Sequence, residues 1–122
     1  MTKNVFDVVA ILTLCMTGSV ALGDCNYPSR VEIPNGLTVE KDDMLEAQGA
    51  VKQYVSDMEA YLDCIVVEEK EALAEIDDLP AEEEQQREDM LNKKFNAAVE
   101  EMENVAAAFN AEVQAFRGRE EE

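Results

Sequence analysis

The chain has 122 residues, room for one domain at most, with 28 acidic and 10 basic side chains and a net charge of −18. That balance argues against a nucleic-acid partner, which is bound by clustered Lys and Arg releasing counterions, and it opposes adhesion to anionic membranes. Histidine and tryptophan are absent and 6% of residues are aromatic, which removes the side chain best suited to proton transfer at neutral pH and disfavours an aromatic-lined ligand pocket.

Residues 1–23 read as a secretory signal peptide. Lys3 gives a short positive start, "VVAILTLCM" (Val8–Met16) is an apolar run of the right length, and "SVALG" ends in small residues. Ala21 and Gly23 take the −3 and −1 positions of a cleavage site ahead of Asp24. Asp7 is atypical at the edge of such a run; an uncleaved anchor or a buried helix is the alternative, although the run is short for a membrane span. Cleavage removes Cys15 and leaves Cys25 and Cys64 as a pair in a chain bound for an oxidising compartment, the periplasm or the exterior. Two unpaired thiols, one of them an apolar core residue, are the alternative for that pair.

Residues 24–38 follow as an extended arm. Pro28 and Pro34 fix φ, lack an amide donor and hold the preceding residue extended. Asn35–Gly36 marks a turn, but neither flank has the strand alternation of a hairpin.

A first helix is expected from about 39 to 78. Met44, Ala47, Val51, Tyr54, Met58, Tyr61 and Ile65 recur at steps of three and four and form one stripe, widened by Val55, Leu62 and Val66 and continued by Leu73 and Ile76. Thr38 or Glu40 is placed to cap its start, and Asp42 and Asp43 suit the positive end of the helix dipole. Pro80 ends this helix and opens the next, expected from about 80 to 117, with Glu82, Glu83 and Glu84 in its first turn. Leu91, Phe95, Ala98, Met102, Val105, Phe109, Val113 and Phe116 make its stripe, and Gly118 between Arg117 and Arg119 marks a stop. Residues 118–122 are expected to be a solvated acidic tail.

Two helices of similar length joined by a short break fold back on each other. The expected fold is therefore all-α: a long antiparallel helical hairpin with an extended, disulfide-anchored N-terminal arm. A lone helix pair buries one seam, thin cover for the conformational entropy lost on folding. The arm supplies more. Cys64 lies 24 residues past Glu40, about 36 Å along a helix, and the 15 residues from Cys25 to Glu40 span about 46–50 Å when extended. An arm that turns back near Asn35–Gly36 thus brings Cys25 to Cys64 with slack, and Tyr27, Val31, Ile33 and Leu37 are expected to cover apolar surface on the hairpin.

With "C-x-x-P" (Cys25, Pro28), "IPNG" (Ile33–Gly36) and "MLEAQGAVKQYVSDMEAYLDC" (Met44–Cys64) in place, the first half of the mature region resembles a family of small exported bacterial proteins of no assigned activity. The resemblance implies a periplasmic or secreted helical protein with two partnered cysteines, and it supplies no catalytic residues.

Catalytic chemistry finds few parts here. A di-metal carboxylate bundle needs Glu-x-x-His, which a chain without histidine lacks. No D-x-D-x-D-G loop marks a calcium site, the serines have no His base, and Cys25 and Cys64 are too far apart in sequence for a C-x-x-C redox motif. No catalytic, cofactor or metal residues are therefore assigned. By elimination the chain is expected to be a non-enzymatic structural or protein-interaction module, acting on a protein partner or by self-association as a homodimer, with no membrane contact after signal cleavage. A binding protein for a small cationic or apolar ligand, held between arm and hairpin, is the alternative.

Overall fold

A computed structural model describes residues 25–121. The expected signal peptide at 1–23, the expected cleavage point between Gly23 and Asp24, and Cys15 lie outside those residues.

Two helices make up the hairpin: α1, Lys41–Ala74, and α2, Ala81–Glu120. With 34 and 40 residues they are about 51 and 60 Å long. Glu40 is the N-cap of α1 in extended geometry, yet neither its side chain nor that of Thr38 caps a helix amide. The first turn is instead closed by the Met44 amide donating to the Glu40 carbonyl at 3.0 Å, with Asp42 and Asp43 beside the exposed amides.

The first helix ends at Ala74, short of the expected 78. Glu75 and Ile76 donate to the carbonyls of Ala72 and Leu73 in a tightened last turn. Asp78 then takes a left-handed φ of 56°, a conformation that Asp tolerates better than most side chains and that no helix can continue through. Pro80 serves as N-cap of α2 rather than its first helical residue, and its carbonyl accepts from the Glu84 amide at 3.0 Å.

At the other end α2 runs through Gly118 to Glu120, so the expected stop and most of the expected acidic tail are helix. A glycine inside a helix costs about 1 kcal/mol relative to Ala and does not by itself end it. Here Arg119 fastens the last turn to the arm.

The core is the seam between the stripes: Met44, Val51, Tyr54, Met58, Leu62 and Ile65 from α1, and Ala98, Val105, Phe109 and Phe116 from α2. Met58 is fully enclosed at its centre. Among the described residues no charged side chain is buried, while the Tyr54 hydroxyl is a polar group inside the core. The arm lies along this seam, with Cys25, Val31, Ile33 and Val39 packed against the core. Arg30 pairs with Glu101 and Gly36 with Glu112, so the arm runs parallel to α2 and antiparallel to α1. Six arm residues thus span eleven helical ones, about 2.8 Å per residue, which is extended backbone. Tyr27 and Leu37 do not share in the burial: they are 53% and 64% exposed, against the expected covering role.

Candidate interaction surface

The arm is held at both ends. At its start Cys25 and Cys64 are joined in a disulfide, with α-carbons 5.7 Å apart. Sγ of Cys25 lies 3.0 Å from Oε2 of Glu68. The bridged sulfur carries no proton, so this is a close S···O contact and not a hydrogen bond. The donor atoms of Cys25, Cys64 and Glu68 lie within 4.8 Å of one another, but two sulfurs bonded to each other are not thiolates and offer a metal no ligand set. What the carboxylate does there is electrostatic: it opposes approach of a thiolate anion, the species that attacks disulfides. Tyr27 adds an edge-to-face contact on Tyr61, ring centroids 5.0 Å apart.

At its far end the arm turns through Gly36–Thr38, where Asn35 accepts from the amides of Thr38 and Val39 through its carbonyl and from Leu37 through its side chain. The Gly36 amide donates to Oε2 of Glu112 at 2.7 Å. Arg119 donates from its two terminal nitrogens to the carbonyls of Leu37 and Val39, at 3.0 and 2.7 Å, while its guanidinium sits 4.9 Å from the Phe116 ring centroid. The last turn of α2 therefore grips the root of the arm.

Between these ends lies Tyr54, 3% exposed, whose buried hydroxyl has no hydrogen-bond partner. Burial first, then Tyr27 and Glu101, raises its pKa above the ordinary tyrosine value, while Arg30 opposes them. The Tyr27 phenol, half-covered by its contact with Tyr61, is raised too, first by partial desolvation and then by the charges of Glu101 and Tyr61.

A helix pair has two grooves, and the arm fills one. Helix residues advance by about 100°, so Val55, Leu62 and Val66 lie on the flank of α1 turned away from Tyr61 and Cys64, the residues that meet the arm. On α2, Phe95, Val99, Met102 and Val113 likewise lie off the flank of Glu101, Glu112 and Arg119. Val55, Val99, Met102 and Val113 pack against the core but are only part-buried, and Val66 and Phe95 are 42% and 36% exposed. At the open end this second groove widens into a hollow of about 210 Å3 lined by Met44, Phe109, Val113 and Phe116, with no arm residue in its wall.

Sequence reasoning placed Cys25 and Cys64 correctly as neighbours on an arm and a helix. It missed Glu68, Glu101, Glu112 and Arg119 as arm partners. With 28 carboxylates in the chain, nothing local sets apart the ones that meet an arm 43 to 76 positions away. Comparison with protein-family models, curated proteins and solved structures finds no match.

Proposed function

We propose that the chain is a non-enzymatic, exported interaction module whose binding surface is the arm-free groove of the hairpin. One observation carries this reading: the arm is fixed covalently over one groove while the other keeps an apolar floor part-exposed along its length. Apolar along its floor, elongated and flanked by helix rows, such a surface fits a helical protein segment laid along it. The disulfide and the signal-like start support export to the periplasm or beyond, since disulfides persist in oxidising compartments. Among the described residues no helix is long and apolar enough to cross a membrane. The absence of histidine, and two mature cysteines already spent on each other, support a non-enzymatic role.

A photo-crosslinking side chain placed at Val66 in the exported protein tests this. It should yield a discrete crosslinked protein species, whereas the same group at exposed Glu71, outside the groove, should not. No crosslink at Val66, or equal labelling at both positions, contradicts the reading.

A second reading has its own support. Between arm and α1 lies a hollow of about 380 Å3 lined by Val31, Pro34, Ala47 and Ala50 together with Glu32, Asp43 and Glu46. Carboxylates beside apolar side chains suit a small cation with an apolar body. Titration with an alkylammonium ion, followed by NMR shifts at Val31 and Ala50, discriminates the two: saturable shifts confined to this hollow favour the ligand, and their absence removes it.

A further inference from the structure

The rows that border the arm-free groove differ in charge from the rest of the surface. Along α1, at heptad spacing, run Leu45, Lys52, Glu59 and Val66, all exposed; the matching row on α2 carries Glu103 and Arg117, also exposed. The α1 row has one cation and one carboxylate and is formally neutral, and on α2 Arg117 stands against Glu103 and Glu120, the latter lining the same hollow, so the two edges together carry −1 in a chain of net charge −18. The hairpin tip is the opposite case. From Glu68 to Asp89, Lys70 and Arg87 face eleven carboxylates, a net −9. A cationic partner would be drawn to the tip; the groove suits a partner that is itself charge-balanced. Among the described residues the ion pairs are Arg30–Glu101 and Arg87–Glu69, which leaves Lys52 and Glu59 without one.

The α1 row is also self-complementary. Reversed about the midpoint between Val55 and Ser56, position 52 falls on 59 and position 45 on 66. We propose that a second copy of this chain docks in the arm-free groove, antiparallel, about a two-fold axis at that midpoint, so that Lys52 of each copy faces Glu59 of the other and Leu45 faces Val66. An isologous contact requires this kind of pairing, one patch matching itself in reverse.

Antiparallel docking also sends the two acidic tips to opposite ends, about 60 Å apart, far beyond a screening length of about 8 Å at physiological salt. Parallel docking would set them side by side. The overlap from Leu45 to Val66 is about 32 Å long and a helix pair about 20 Å wide, so the two copies together cover about 1,200 Å2, the lower bound of a stable specific interface. The product is a four-helix bundle with α1 against α1 and α2 against α2, an arm on each outer face. This names the partner for the interaction-module reading and rests on it.

Sedimentation equilibrium of the oxidised protein at about 0.15 M salt tests the pairing, with a monomer–dimer equilibrium expected. Lys52→Glu sets a carboxylate against Glu59 of the second copy twice over and should weaken the dimer about tenfold or more. The swap Lys52→Glu with Glu59→Lys restores the opposition of charges and should return the dimer to within about threefold of the parent. These side chains are exposed, so the fold is untouched, as circular dichroism will confirm; Leu37→Glu, on the arm side, should leave association unchanged. Monomer alone up to about 0.5 mM, indifference to Lys52→Glu, or failure of the swap to rescue overturns the proposal. A strict monomer that still crosslinks from Val66 to a different protein rejects the second copy and keeps the interaction module. A monomer without any crosslink rejects both.

Discussion

The amide of Gly36 donates to the Glu112 carboxylate at 2.7 Å across 76 positions of chain, and the space where a Gly36 side chain would stand is filled by the Glu112 carbonyl. Arm and second helix meet here backbone to backbone, so Gly36 is required for closeness and not for turn geometry. Gly36→Ala forces the arm root off α2 and should cost about 1–3 kcal/mol, read as a lower denaturant midpoint. A fully buried arm at parent stability in that variant contradicts the contact.

Arg119 holds the same junction from the other side, through two charge-assisted bonds to the carbonyls of Leu37 and Val39. Arg119→Met keeps most of the apolar stem and removes both donors. Because the site is part-exposed, water recovers some of the loss, and a cost of about 1–2 kcal/mol is expected. Amide exchange should quicken at Gly118 and Glu120, since the tertiary grip, not local propensity, carries α2 past the glycine. Unchanged exchange there would show that the helix end is self-sustaining.

That helix end marks where the sequence stopped being legible. The stripes from Met44 to Ile65 and from Leu91 to Phe116 were readable because burial imposes a three-four period on α1 and α2 alike. The arm was readable because Pro28 and Pro34 forbid helix. Leu37 was misread: it stands in the Gly36–Thr38 turn, outside the extended run whose alternation turns Val31 and Ile33 inward. Glu112 and Arg119 could not be read at all, since their roles arise from chain separation and their residue types are common on solvated helix faces.

The orphan hydroxyl of Tyr54 yields a prediction with a definite sign. A buried hydroxyl without a partner is a desolvation cost, so Tyr54→Phe should be neutral or stabilising by up to about 1 kcal/mol at neutral pH. The folded phenol titrates above the unfolded value of about 10. In alkaline solution the unfolded chain therefore loses this proton first, and stability falls as pH climbs from about 10 through the raised folded value. Tyr54→Phe should flatten that fall, measured by urea melts across the alkaline range. A loss of more than about 1 kcal/mol on removing the hydroxyl would reveal a hydrogen bond to water or to another group.

Breaking the cystine should act mainly on the unfolded chain. The bridge closes a sequence separation of 39 residues, worth about 4 kcal/mol in the chain-entropy account. For a domain whose total is about 5–15 kcal/mol this is a large share. Cys64→Ser should lower the melting temperature and free the arm, while most helical circular dichroism survives at low temperature. An unchanged melting temperature would show that Arg119 and Gly36 suffice to hold the arm.

The covalent anchor is what turns a proline-containing lead-in into a third element of the core, and non-reducing peptide mapping of protein purified from its native compartment tests it most directly. A single linked pair of peptides, one containing Cys25 and the other Cys64, is the predicted result. Two free thiols at those positions, or either cysteine joined to a different molecule, would contradict the account.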